Sequence, residues 1–296
     1  MTTREQWVHG ARPKTLPAAV APVLVGTAIA TFHGHLRPGV ALAAMVVAVA
    51  FQVGANYAND YSDGIRGTDN ERVGPVRLVG QGLATPAHVR RAAFASFAIG
   101  AAAGLIMLAI SQWWLLVPLG VASIAAAWFY TGGARPYGYR GLGEVFVFIF
   151  FGLVAVVGTA ASQTGGITWL MWLAGVACGA LSCAILVVNN LRDLDSDRAA
   201  GKRTLAVLLG DKGTRELYRT TFLVAYAMPV IMTMRADGPE FAYISLITML
   251  SARRPLMAVS SGASGRELIP VLVDTGKVLL LFAMSLSVGI AASPPV

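Results

Sequence analysis

The sequence predicts an all-α polytopic membrane protein: about nine transmembrane helices around a central cavity, in one domain spanning 1–296. Three observations predict it. Of the 296 residues, 56% are hydrophobic and only 13% are charged, with a mean hydropathy of +0.64, whereas soluble domains carry about 25% charged residues. Apolar runs of roughly 20 residues, enough to cross a bilayer's hydrocarbon core as a helix, recur along the whole chain. The basic residues concentrate in alternate loops between those runs. The alternating ten-residue segments of an outer-membrane barrel are absent from the sequence.

The runs fall at about 15–33, 39–60, 87–110, 113–131, 143–161, 167–190, 216–235, 240–258 and 268–292. The first lacks a small-x-small cleavage pattern at its end and reads as a retained helix rather than a signal peptide. The second and sixth end in acid. Cys178 and Cys183 share the sixth run at an i, i+5 spacing that does not favour a disulfide, so they read as small buried residues. The eighth is the weakest, interrupted by Arg253 and Arg254 with Pro255 following. In the last, Asp274 and Lys277 stand at i, i+3 and read as a structural ion pair. His9, His33, His35 and His88 form no metal-ligand spacing.

Placing the N-terminus in the cytoplasm puts 20 of the 23 Lys and Arg residues in cytoplasmic loops. Only Arg37 and Arg235 fall outside, and Lys277 lies within the last run. The net charge of +8 therefore reads as orientation, with some attraction to anionic membrane lipid, and not as nucleic-acid binding. Both acidic clusters fall on the cytoplasmic face.

Those clusters carry the chemistry. Seven of the 15 acidic residues lie in two neighbourhoods: Asp60, Asp63, Asp69 and Glu71 around the first, and Asp193, Asp195 and Asp197 in the second. Carboxylates beside a membrane segment are costly to desolvate and mark function. Helical spacing puts Asn56, Asn59, Asp60 and Asp63 along one side of a helix, and Asn190, Asp193 and Asp197 along another, with Asp195 pointing elsewhere. Asp63 and Asp197 are 134 residues apart, four runs separating the two clusters, which reads as a duplicated four-helix unit plus one extra helix. Two facing stripes of this kind suit Mg²⁺ held between protein oxygens and a phosphorylated substrate. Basic residues follow each stripe: Arg72 and Arg77 after the first, Lys202 and Arg203 after the second, placed to neutralise a departing diphosphate. The loop from Tyr130 to Glu144 combines glycines, tyrosines, arginines and one Glu, which suits an aromatic pocket. No phosphate-cradling Walker loop, nucleophile elbow or zinc motif is present. A transporter would carry its acids near the midplane on broken helices, whereas these lie at helix ends. A CDP-alcohol phosphotransferase would continue Asp63-Gly64 differently.

Asn59-Asp60-Tyr61-Ser62-Asp63 with Asp69, together with Asn190-x-x-Asp193-x-x-x-Asp197, resembles the paired motifs of the UbiA superfamily of intramembrane prenyltransferases, over essentially the whole chain. Ala11-Arg12-Pro13-Lys14-Thr15-Leu16-Pro17, Gly74-Pro75-Val76-Arg77, Tyr137-Gly138-Tyr139-Arg140-Gly141-Leu142-Gly143-Glu144 and Asn189-Asn190-Leu191-Arg192-Asp193 resemble its menaquinone-pathway branch. Many members carry an Asp four residues after the first motif's last Asp; Gly67 stands there, and Asp69 follows two residues later. The resemblance implies a bacterial plasma-membrane enzyme with a polar, cytoplasm-facing cap over a laterally open cavity. It implies Mg²⁺-dependent transfer of a polyprenyl group from polyprenyl diphosphate to 1,4-dihydroxy-2-naphthoate, with loss of CO₂ and diphosphate. 4-Hydroxybenzoate and homogentisate are the alternative acceptors. It also implies roles: Asp63, Asp193 and Asp197 as catalytic metal-diphosphate residues, with Asp60 and Asp69 as further metal ligands. Asn59, Asn190, Arg72, Arg77 and Lys202 would bind the diphosphate, and Lys14, Tyr137, Tyr139 and Arg140 would line the cap or the acceptor site.

Overall fold

The computed structural model describes residues 2–67 and 76–295, and all regular structure among them is helical. In order come α1 (Arg4–Ala11), α2 (Pro17–Phe32), α3 (Pro38–Arg66), α4 (Pro86–Ser111), α5 (Val117–Phe129), α6 (Gly143–Val147) and α7 (Ala155–Thr164). Then follow α8 (Trp169–Arg192), α9 (Leu194–Ala199), α10 (Leu205–Thr233), α11 (Met249–Ser260) and α12 (Leu268–Ala292). Each of the nine apolar runs coincides with helix. Among the described residues, five segments are long and apolar enough to cross a membrane: Pro38–Arg66, Pro86–Ser111, Gly143–Thr164, Trp169–Arg192 and Gly265–Ala292. A sixth is added if Arg4–Thr15 and Pro17–Phe32, which meet at a bend of 52°, count as one span.

Punctuation explains where the helices start and stop. Prolines open α2, α3 and α4 at the first helical position, where the missing N–H costs nothing. Gly67 closes α3 in the left-handed conformation, φ 71°. The eighth apolar run begins as a 3-10 turn, Ala242–Thr248, before α11 carries Arg253 and Arg254 on its exposed face. There Arg254 and Lys277 both reach Asp274, at 3.7 and 3.3 Å, so the Asp274–Lys277 pair forms as the spacing predicts and gains a third member. Cys178 and Cys183 are buried and free.

The largest core cluster joins α2, α7, α8, α10 and α12 around Ile29, Leu181, Tyr218, Phe282 and Leu286. A second group, Tyr57, Leu78, Val89, Ala93 and Phe97, holds α3 against α4. Large apolar side chains such as Leu105, Val121, Leu223, Leu250 and Val288 face outward, as lipid-facing residues do.

Between α6 and α7 the chain widens into a π-helix, Phe148–Val154, a form often found at functional sites. Its Gly152 lies so close to α8 that a Cβ there would stand 2.5 Å from the Gly175 carbonyl oxygen and from the Gly179 Cα. The wide turn thus packs backbone to backbone on one side and turns Phe150, Phe151 and Val154 toward the interior on the other.

The helix ends sort into two groups. At one end Arg66 bonds the carbonyls of Thr131 and Gly133, Arg203 N–H meets Tyr139 O, and Arg215 reaches Val259 O and Ala263 O. At the other, Arg37 meets Ile110 O and Gln163, Trp169 meets Asp237, and Phe241 meets Ser293.

Candidate functional site

A cavity of about 360 Å³ opens among α2, α3, α5, α7 and α8 at the first of these ends. Its rim is polar and its depth apolar. The rim includes Arg12, Asn59, Asp63, Arg77, Asp197 and Lys202; the depth includes Met107, Leu116, Phe146, Phe150 and Phe151.

α3 supplies one wall. Gln52, Asn56, Asn59 and Asp63 recur at i, i+4, i+7 and i+11 and all face the cavity. Asn59 accepts a hydrogen bond from Thr131 Oγ1 at 2.9 Å, and Gln52 donates to Thr15 Oγ1 at 2.9 Å. Opposite, α8 and α9 supply Ser182, Asn189, Asn190 and Asp197. Lys202 joins the two walls: its Nζ lies 3.9 Å from Asp63 Oδ1 and 3.8 Å from Asp197 Oδ1, with the side chain only 5% exposed. It also sits 4.8 Å from the centroid of the Tyr139 ring, and the Tyr139 hydroxyl donates to Asp63. The turn that carries Lys202 is fixed by its own N–H bonding Asp197 O at 2.9 Å.

The tyrosine loop forms part of the wall as well. Tyr137 donates to Ala126 O at 2.8 Å and stacks on Phe146 with ring centroids 4.0 Å apart. Burial raises its phenol above the ordinary value, so it remains a neutral donor. Phe146 in turn stacks toward Phe150 at 6.0 Å, giving an aromatic ladder from loop to depth.

Of the sequence-predicted residues, Asp63, Asp197, Asn59, Asn190, Arg77, Lys202, Tyr137 and Tyr139 meet at this cavity. Four others do not. Asp60 is fully buried behind α3, where its carboxylate accepts the N–H groups of Leu78 and Val79 at 2.8 and 3.0 Å; one residue further on is 100° further round the helix, and that turns it to the returning loop. Asp193 ends α8, and the break there hands it to Arg192, whose Nε and Nη2 contact its two oxygens at 2.8 and 2.6 Å. Lys14 and Arg140 are exposed and lie outside the cavity lining. Asp69 and Arg72 lie outside the described residues, as do Gly74 and Pro75. Asp195 points away, 96% exposed beside Arg198, as its spacing predicts.

Sequence reasoning passed over Arg12, Thr15, Gln52 and Thr131 as site residues, while Tyr130 lines the cavity as the tyrosine loop suggests. Gln52 had a signal, being one turn below Asn56 on the same stripe. Arg12 had none: the chain adopts φ 54° there and turns its side chain inward while Lys14 faces out.

Among the described residues no three His, Cys, Asp or Glu side chains converge as a ready-made metal cage. The donor set nonetheless fits Mg²⁺, which takes one or two carboxylates and completes its shell with water and phosphate oxygens. Asp63 and Asp197 would supply the carboxylates, and asparagine amides stand beside them on both walls.

A family model described as the UbiA prenyltransferase family matches residues 19–259. A Mycobacterium tuberculosis protein named 1,4-dihydroxy-2-naphthoate octaprenyltransferase is 50% identical over 291 residues, covering 98% of this chain and 98% of its own length. Among solved structures, the apo form of a UbiA homologue from Aeropyrum pernix K1 superposes with a TM-score of 0.69 at 18% identity, covering 96% of this chain and 98% of its own. A UbiA homologue from Archaeoglobus fulgidus bound to DMAPP and Mg²⁺ gives 0.68 at 13% identity, covering 97% and 99%; both show the shared fold.

Proposed function

The chain belongs to the UbiA prenyltransferase family, and on that premise we propose that it transfers a polyprenyl group from polyprenyl diphosphate to 1,4-dihydroxy-2-naphthoate, releasing diphosphate and CO₂ and yielding demethylmenaquinone in its reduced, quinol form. The observation that carries this reading is the cavity itself: two carboxylates and a lysine at a polar rim, above an apolar and aromatic depth. The relative that shares half of its residues over nearly full length is named for this acceptor.

The diphosphate binds at the rim and the isoprenoid chain runs into the depth. Asp63 and Asp197, with the Asn59 and Asn190 amides, would hold a divalent cation; Lys202 and Arg77 face the phosphate oxygens as charge-assisted donors. What such an ion supplies when bound is positive charge beside the diphosphate oxygens. The C1–O bond of the prenyl diphosphate breaks with its electron pair leaving on oxygen, where Lys202 and Arg77 meet the growing negative charge. The remaining allylic cation lies against the ladder of Tyr137, Phe146 and Phe150, whose π faces stabilise it and whose walls exclude water. The electron-rich ring carbon that bears the carboxylate attacks C1. Loss of that carboxylate as CO₂ returns the electron pair to the ring and restores aromaticity, so that the prenyl group stands where the carboxylate stood and the ring takes up no proton. Tyr139 keeps Asp63 oriented throughout, and Asp193 stays paired with Arg192 beside the rim.

Nine membrane crossings with the N-terminus cytoplasmic fit the two groups of helix ends and the 20 basic residues assigned to one face. The active site then opens to the cytoplasm of a bacterial plasma membrane, and the chain forms one domain. The test is direct. Purified protein in detergent, given Mg²⁺, a polyprenyl diphosphate and radiolabelled 1,4-dihydroxy-2-naphthoate, forms a lipid-extractable product that EDTA abolishes. Turnover only with 4-hydroxybenzoate or another ring discards the acceptor; no transfer to any ring by folded protein discards the reaction.

A further inference from the structure

Two asparagines occupy matching places on the two walls. Asn56 stands seven residues before Asp63 and Asn190 seven before Asp197, so both pairs share the 134-residue offset. Both line the cavity, and both have the amide nitrogen committed elsewhere. Asn56 Nδ2 donates to Ala11 O at 2.8 Å and Thr15 Oγ1 at 3.1 Å. Asn190 Nδ2 donates to Glu144 Oε1 at 2.9 Å. A carboxylate oxygen only accepts, so beside Glu144 the Asn190 amide has one stable orientation, nitrogen to the carboxylate and oxygen away from it. Glu144 itself does not line the cavity. It is 7% exposed, its own carbonyl oxygen accepts from Cys183 Sγ at 3.1 Å, and Oε2 has no hydrogen-bond partner. A buried carboxylate half satisfied in this way is expensive to keep, and its one side-chain hydrogen bond goes to a cavity residue.

We propose that Glu144 is a positioning residue that locks the Asn190 amide with its carbonyl oxygen toward the cavity, as a hard oxygen donor for a divalent cation. The backbone carbonyl of Ala11 and the hydroxyl of Thr15 do the same for Asn56 on the opposite wall. The inference rests on reading the rim as a cation and diphosphate site. It assigns Glu144 a task distinct from touching substrate: without it the Asn190 amide is free to turn its NH₂ group inward, which removes a ligand and repels a cation.

The test is a swap read by Mn²⁺ binding, measured by electron paramagnetic resonance on the full chain in detergent with inorganic diphosphate present. Glu144→Leu removes the acceptor that holds the Asn190 NH₂ group, leaving the amide free to turn; Mn²⁺ affinity is expected to fall about 10- to 100-fold, as for loss of other groups that orient a metal ligand. Adding Asn190→Asp to Glu144→Leu restores it to within about threefold, because either oxygen of a carboxylate serves and no orientation has to be held. A merely structural role for Glu144 predicts no such rescue. Mn²⁺ affinity unchanged in Glu144→Leu, or a double variant no better than the single, overturns the proposal. If Glu144→Leu does not fold, the double variant carries the test: tight Mn²⁺ binding supports the proposal and its loss refutes it. Parental protein that binds no Mn²⁺ even with diphosphate overturns the reading of the rim itself, which keeps the two failures apart.

Discussion

Replacing Lys202 by Met separates two effects that most substitutions at this rim would confound. The Lys202 ammonium lies 3.9 and 3.8 Å from carboxylates on opposite walls, all three side chains being about 5% exposed or less. At an effective dielectric constant near 20, each attraction is worth about 4 kcal/mol before desolvation is subtracted. Removing one partner of a buried pair typically costs about 3–5 kcal/mol, because the other charge is left uncompensated. The metal-free Lys202→Met protein is therefore expected to unfold at a lower temperature than the parent, and Mg²⁺ is expected to restore more stability to it than to the parent. Mn²⁺ affinity without diphosphate should rise by about tenfold, or ~1.4 kcal/mol, since the cation no longer competes with an internal ammonium. Turnover should move the other way and fall by about 10²–10³-fold, the usual loss when one donor to developing negative charge is removed. Lys202→Arg should recover part of the stability. The assays are thermal unfolding with and without Mg²⁺, Mn²⁺ titration, and radiolabel transfer. A Lys202→Met protein with weaker Mn²⁺ binding refutes the counter-ion role, and turnover within threefold of the parent refutes contact with the diphosphate.

Asp193→Asn and Asp197→Asn should divide cleanly. Asp193→Asn leaves Arg192, whose side chain is 4% exposed, without its carboxylate and should cost about 3–5 kcal/mol in thermal stability, whereas Asp197→Asn should abolish at least 99% of transfer, about 10²-fold or more, with a smaller stability loss; equal activity losses with unchanged stability would contradict the placement of Asp193. Gly152→Val puts a side chain where a Cβ alone would stand 2.5 Å from the Gly175 oxygen, so folded yield on size exclusion should collapse, and a well-folded variant would mean that the π-helix does not pack as described. Gly120→Trp acts on substrate choice: Gly120 lines the cavity and a Cβ there would meet nothing within 4 Å, so the bulky ring should lower kcat/KM for long polyprenyl diphosphates about tenfold or more relative to short ones (~1.4 kcal/mol or more), measured by competition between donors, and an unchanged ratio would place the isoprenoid chain elsewhere.

Much of the site was legible because a helix repeats every 3.6 residues. That period alone puts Asn56, Asn59 and Asp63 on one face of α3 and turns Asp195 outward from α9. It fails where the helix is interrupted. Asp193 stands at i+3 from Asn190, but α8 ends at Arg192, and the end of a helix inside an acidic run carries no proline or glycine to announce it. Asp60 was misplaced for a related reason: adjacency in sequence to Asn59 says nothing about the loop at Leu78 and Val79 that returns to claim its carboxylate. The exchange of Lys14 for Arg12 depends on one residue adopting a left-handed conformation before Pro13, which composition does not signal. The π-helix is also silent in sequence, because its cause is the fit of Gly152 against Gly175 and Gly179 on another helix. The aspartate motifs and the apolar runs are local patterns, whereas the place of Asp60 and the π-helix are set by contacts distant along the chain.

The division of the cavity into rim and depth has a chemical consequence of its own. Eleven residues separate Asp63 from Gln52, about 16 Å along α3, and below Gln52 the same face offers Phe51, Ala48, Val47 and Ala44. A diphosphate cannot descend past that level without losing its charged partners, and an isoprenoid chain gains nothing by rising above it. The C–O bond that breaks is thereby held at the boundary between the two. Water that reached the allylic cation from below would need polar partners to stay. At that depth Thr15 Oγ1 already accepts from both Gln52 and Asn56, and the adjoining walls include Phe150, Phe151 and Ile185. The network that orients Asn56 thus also engages Thr15 Oγ1 and the Gln52 amide nitrogen, leaving fewer hydrogen-bonding groups on that wall for a competing nucleophile, so holding the rim in order and keeping the cation dry draw on one set of contacts.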